Sequence, residues 1–439
     1  MYNFNQTYLV VVRYSFVAGA TNDLCYIWLN PTTGSEPSTG TAEVSITTGT
    51  DVGVAGGEVG NFHWHNRSTN NPVGRFDGVK VSVGSNSATA WTNLNANVSD
   101  HFRSSATGNW TSASTWESSH DGTNWYDATL TPTSTANTIT IRSPHTVTST
   151  GALSIDQVTV NSGGTLATNA TLTNSGNLNI NGGTFRINEG GFAQGGTFVY
   201  SGNSTLVFNN TSGPYGVNSD HVYWPASNGP QNVTVQGSGG ITLNNDVVRT
   251  VQGTFRTSAG VNQSGSGALT CEGDCQINTG GSFSFAPSYG SASNLIYNTG
   301  SVFGRSSEWS DNDDSNPGRP HNVIIRNGTT LNYPNGSNQP RFLSGNLTIE
   351  ASSALYMDYA AQPISNPLRV AGQVFLFGGA LSLGNTNGGD IYVGGDWKEE
   401  TGATFIPNSR AVFLNGTGTQ TISRTGGTNS FPFLLLNKT

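Results

Sequence analysis

The sequence predicts an all-β protein whose larger part is a right-handed parallel β-helix, a solenoid, preceded by an antiparallel β segment. Three observations predict it. Apolar residues come in pairs two apart, as in Ile139/Ile141, Val158/Val160, Leu178/Ile180 and Phe198/Tyr200, which is the period of a strand with one buried face. Those pairs recur after 19, 20 and 20 residues, and a second set, Phe185/Ile187 and Leu206/Phe208, recurs after 21. Between them lie Gly, Asn, Ser and Thr, as in the turn from Asn161 to Thr165. A strand–turn unit of about 20 residues cannot bury its apolar face alone and must stack on its neighbours.

Composition supports this and excludes several classes. Charged residues are 10% of the 439, and Gly numbers 57. Such polarity would suit a disordered chain, but 34% of residues are apolar and they are periodic. Net charge is -8 with 18 Lys plus Arg and no basic stripe, which argues against nucleic acid as a partner. No run of 18 apolar residues exists, so no membrane insertion is expected. The apolar run Tyr8 to Val12 has no positive segment before it and no nearby cleavage site, so it is not read as a leader. Little Lys and much Asn, Gly and Thr suggest an extracellular or cell-surface setting.

In chain order, residues 1–92 read as antiparallel strands: Tyr8 to Tyr14, Cys25 to Leu29, Phe62 to Trp64 and Phe76 to Val81. Residues 93–106 read as a linker. Trp91, Leu94, Val98 and Phe102 have helical spacing, so either a short helix or a linker anchored by Trp91 and Phe102 is expected. The solenoid is assigned to 107–439. It opens on Gly108, Trp110, Trp116, Trp125, Pro132 and His145, aromatics suited to capping an open solenoid end, or alternatively to stacking on sugar. A larger repeat follows. Ser204 to Asn209, Ser293 to Asn298 and Arg410 to Asn415 are each followed by a polar loop, then Pro230, Pro320 or Pro432, then an apolar strand.

Two resemblances fit these segments. Leu9 to Tyr14, Ile27 to Pro31, Gly34 to Pro37 and Arg75 to Val79 resemble the second half of the laminin-G-like jelly rolls of secreted Bacteroidetes proteins. The likeness covers about 80 residues and implies an incomplete jelly-roll sandwich in a bacterial surface protein exported by a type IX pathway. The block from Gly108 to Val147 is similar to the opening of extracellular β-helix domains.

The recurring loops are the candidate sites, since insertions on one face of a solenoid often form its binding face. The first holds Asp220, His221, Tyr223 and Trp224, and the second Glu308, Trp309, Asp311, Asp313 and Asp314. A Trp beside acids could stack on a sugar and accept its hydroxyl hydrogen bonds. The alternative is a folded-back loop whose Trp covers the coil edge. The acidic run could hold Ca²⁺, although it lacks the Gly and terminal Glu of an EF-hand loop; no other cofactor is expected. Cys271 and Cys275 flank Glu-Gly-Asp, and the Gly permits the turn a local disulfide needs. Cys25 reads as a buried free thiol.

The expected function is that of a non-catalytic surface protein: an adhesin, stalk or filament component. Polysaccharide or other subunits of the same assembly are the expected partners. Two alternatives stay open: a polysaccharide lyase or glycoside hydrolase, for which Arg305 and Arg319 flank the acidic loop, and a carbohydrate-binding module. Phe431 and Phe433 to Leu436 form an apolar strand with no polar cap after it, so end-to-end self-association is expected.

Overall fold

A computed structural model describes residues 8–17, 21–31, 36–49, 81, 87–88, 90–91, 100–119, 121–218, 221–244, 247–264, 269–310, 317–426 and 430–438. Two compact units interleave in sequence: residues 1–102 with 116–138, and residues 103–115 with 139–439. The division is thus not a single cut near residue 106.

In the first unit, Val10–Ser15, Leu24–Leu29 and Val44–Ile46 form a three-stranded antiparallel sheet in that order. Val11, Tyr26 and Trp28 are its buried cluster, with Leu24, Ala42 and Trp91 packed against it. Residues 87, 88, 90 and 91 are helical. The stretch read as a linker includes a strand, His101–Ser104, whose Phe102 is buried. Cys25 is free and half-buried rather than fully buried. The expected strands at 62–64 and 76–81 fall, but for Val81, outside the described residues.

The second unit is a parallel β-solenoid. A sheet of 14 strands, the spine, begins at Gly108–Asn109 and ends at Ile422–Arg424. Each full coil leaves the spine, forms a strand on a first flank, then one on a second flank, and returns. The sequence periods are the coil pairings. Val158 pairs with Ile139 on one side and Leu178 on the other, and Leu178 pairs with Phe198. Phe185 pairs with Leu206, and Ile187 with Phe208. The inward members of these strands are almost wholly buried. Next to the first spine strand, Trp110 is buried and its backbone N–H donates to Thr148 O at 2.8 Å, extending the pairing with the next spine strand.

Turn chemistry explains the composition. Gly163 turns the chain at φ +78°, and a Cβ on Gly164 would lie 2.8 Å from Ile141 O in the coil beneath. Asparagines stack along the corners. Asn188 donates to Asn169 at 2.8 Å and Asn209 donates to Asn188 at 2.9 Å, while Asn294 reaches Asp274 at 2.7 Å and Asn322 reaches Asn294 at 3.0 Å. Asn188 and Asn294 each both donate and accept, so the ladder passes from coil to coil.

Unlike the spine, the flanks are interrupted. The second flank runs from Thr138–Ile141 to Thr197–Ser201, restarts at Arg249–Val251, and restarts again at Arg341–Leu343. At both gaps a loop takes the strand's place. The third copy of the larger repeat differs from the first two. Thr205–Asn209 and Asn294–Asn298 lie in the spine, whereas Ala411–Leu414 lies in the second flank and pairs with Phe433–Leu436 there. Sequence similarity showed a strand followed by a loop and its partner, but not which face carried it.

Candidate functional site

The two loops that carry the candidate residues are the ones that replace second-flank strands. Without a strand, a coil would leave a hole in the core at that place. The loop from 218 to 231 fills it with Tyr223 and Trp224, both fully buried, and with His221, which is 8% exposed. Tyr200 in the coil beneath donates its hydroxyl to Tyr223 O at 2.5 Å. From the coil above, Arg249 donates to Asn218 O at 2.7 Å and holds its guanidinium 5.9 Å from the Trp224 ring. Inside the loop, His221 Nδ1 accepts from the Asn218 N–H at 3.1 Å and lies 2.6 Å from the Tyr223 hydroxyl.

The loop from 305 to 321 repeats the device with a different neighbour for its Trp. Trp309 is fully buried and donates Nε1–H to Phe342 O, in the coil above, at 2.9 Å. From the coil beneath, Tyr289 donates to Glu308 O at 2.6 Å. Arg305 is buried as well, giving Nε–H to Tyr333 O and Nη1–H to Trp309 O at 2.9 and 2.8 Å.

Glu308 is the one acid in this plug among the described residues, and none of its surface is exposed. Burial raises its carboxyl pKa above the ordinary carboxylate range, against the Ser306 N–H bonds at 2.9 and 3.1 Å and the Tyr297 hydroxyl at 3.0 Å. Burial also holds the phenols of Tyr289 and Tyr297 well up, so both remain donors. Tyr223, Trp224, Glu308 and Trp309 are wholly buried in these plugs and His221 nearly so, with Trp224 Nε1–H lacking a hydrogen-bond partner there among the described residues. Asp220, Asp311, Asp313 and Asp314 lie outside the described residues. Among the described residues no group of three or more His, Cys, Asp or Glu is arranged to hold a metal ion.

The disulfide expected between Cys271 and Cys275 is not formed; both are free and buried. They lie on consecutive strands and meet in the core as a hydrogen-bonded pair of thiols. Cys271 ends the second-flank strand Leu269–Cys271, and Cys275 lies in the spine strand Asp274–Asn278. Both side chains enter the core, where a hydrogen bond to Cys271 and burial push the Cys275 thiol pKa well up.

No protein-family model matches the chain, and no curated protein or solved structure matches it.

Arg319, which the sequence marked only as a neighbour of the acidic loop, lines an outer cleft of about 360 Å³ with Tyr289, Ser291, His321 and Ser344. His321 Nδ1 lies 3.0 Å from Ser344 Oγ. The buried arginines Arg249 and Arg341 were not anticipated. Each is the first residue of a restarted second-flank strand, and an Arg at an inward register position directly after a loop was the available signal.

Proposed function

We propose that this chain is a non-catalytic extracellular surface protein of a bacterium, in which a β-solenoid serves as an adhesive or structural element. The observation that carries the reading is the direction of the loop side chains. The Trp, Tyr, His and Glu groups that could have formed a catalytic or sugar-stacking surface are spent on closing two gaps in the core. The corners outside are built largely of amide and hydroxyl ladders that pair from coil to coil, suited to a scaffold. The jelly-roll resemblance of residues 1–92 supports export of the type IX kind.

A lyase is the second reading, favoured by the cleft of Arg319 and His321, a cation and a base within one recess. One experiment separates the two. The purified chain is incubated with pectate, alginate, xylan and β-glucan, and soluble products are measured. No product is expected. Product release that Arg319→Ala and His321→Ala both abolish would replace the scaffold reading by the lyase.

A further inference from the structure

Six Asn–Gly steps occur in the chain, beginning at Asn181, Asn228, Asn327, Asn335, Asn387 and Asn415. At such a step the glycine nitrogen is able to attack the asparagine Cγ, since glycine has no side chain to hinder the approach. A nitrogen whose N–H is engaged in a hydrogen bond must first give that bond up. The fold engages four of the six. Gly182 N–H donates to Ser201 O at 2.8 Å, Gly328 N–H to Ser353 Oγ at 3.1 Å, Gly336 N–H to Gln362 Oε1 at 2.9 Å and Gly416 N–H to Gln420 Oε1 at 2.9 Å. Among the described residues, the N–H groups of Gly229 and Gly388 have no such acceptor.

At Gly388 the turn explains this. Gly389 N–H donates to Thr386 O at 3.0 Å, which closes a β-turn with Asn387 and Gly388 in its middle. The amide between the two middle residues has no partner within such a turn. Gly388 adopts φ +93°, and a Cβ there would overlap Ser365 O in the coil beneath. The fold therefore demands the very residue that makes the step labile. The turn joins the first-flank strand Ala380–Ser382 to the second-flank strand Ile391–Val393.

Arg410 adds the second element. From the coil above, its Nη1–H donates to Asn387 Oδ1 at 2.6 Å, while its Nε–H is held by Asn408 O at 3.3 Å. A guanidinium on Oδ1 draws electrons from Cγ and meets the negative charge that this oxygen gains when the nitrogen attacks. Among the described residues, Asn387 is the one of the six that accepts from a cation.

We infer that Asn387–Gly388 is a self-modifying site, at which the folded chain deamidates with water as the co-reactant. The Gly388 nitrogen loses its proton to solvent and bonds Cγ, the Cγ–Nδ2 bond breaks, and the nitrogen leaves as ammonia after taking a proton from solvent. Water then opens the cyclic imide at one of its two carbonyls, leaving aspartate or isoaspartate. In the aspartate form the new carboxylate faces Arg410, so a neutral amide is exchanged for an ion pair between two coils. The inference is independent of the function proposed above.

The test is peptide mapping by mass spectrometry of the full chain aged at pH 8, both folded and in guanidinium chloride, with isoaspartate identified by electron-transfer fragmentation. In guanidinium chloride the six steps should convert at similar rates. In the folded chain Asn387 should convert at least threefold faster than Asn228 and at least tenfold faster than the other four. Arg410→Gln should slow Asn387 at least threefold in the folded chain and leave it unchanged in guanidinium chloride. Should that variant fail to fold, the ranking of the six steps in the unmodified folded chain decides. The inference is overturned if Asn387 stays intact in the folded chain, if any other of the six outpaces it there, or if Arg410→Gln leaves its rate unchanged or raises it.

Discussion

Tyr289 donates its hydroxyl to the backbone oxygen of Glu308 at 2.6 Å, as Tyr200 does to that of Tyr223 at 2.5 Å. In both places a tyrosine one coil below ties down the residue that precedes a buried tryptophan. The two loops are therefore copies of one structural device, a plug that replaces a second-flank strand. Several expectations depend on that identity.

Removing a plug should open a cavity. Trp224→Ala or Trp309→Ala should each cost about 3–5 kcal/mol, the range for truncating a large buried aromatic. Trp309→Ala also leaves Phe342 O without its indole donor. Denaturant melts with hydrogen exchange should show the loss concentrated in the adjoining coils, since a solenoid's coupling is between neighbours. An unchanged midpoint for both variants would mean that the rings are not core.

Glu308 and Glu189 should give opposite pH dependences. Burial raises the Glu308 carboxyl above its ordinary 4.5, so the folded chain keeps a proton that the unfolded chain has lost. Its contribution is full below pH 4.5 and is lost as pH rises through the higher folded value. Glu189 is the reverse. Its carboxylate accepts from the Ser212 hydroxyl and from the N–H groups of Thr211 and Ser212, which lowers it to about 2. That contribution is present above pH 4.5 and is lost as pH falls toward about 2. Thermal melts from pH 2 to 8 should show Glu308→Gln flattening the upper side and Glu189→Gln the lower. If neither variant alters its side of the profile, these assignments fail.

Cys271 and Cys275 should behave as shielded thiols. Alkylation of the native chain without reductant should label neither, and alkylation in denaturant without reductant should label both. An unlabelled peptide two mass units light would show that a disulfide had formed after all.

Among the described residues, the last second-flank strand, Phe433–Leu436, has a partner on one side only, and it exposes Leu434 and Leu436 at 44% and 71%. An edge of this kind invites strand addition from another copy. Light scattering should detect concentration-dependent association, and Leu434→Lys with Leu436→Lys should suppress it. A stable monomer at high concentration would contradict the expectation.

The sequence by itself determined the coil. Apolar pairing at period two and a repeat near 20 residues are local properties, and they placed Val158 against Ile139 and Leu178 without any knowledge of the turns. It also located the two loops, because each interrupts that repeat. What it could not determine was where the loop side chains point. A loop has no periodicity, so nothing in the order Tyr223-Trp224 or Glu308-Trp309 distinguishes a ring turned to solvent from one turned inward. That direction was decided by the missing strand, whose empty place in the core only the stacked coils reveal. The same limit hid the two-strand placement of Cys271 and Cys275, the face carrying Ala411–Leu414, and a surface cleft lined by Ala351, Phe377, Glu400, Thr401 and Thr425. The cleft joins turn residues as far apart as Ala351 and Thr425, which become neighbours only because successive coils superimpose.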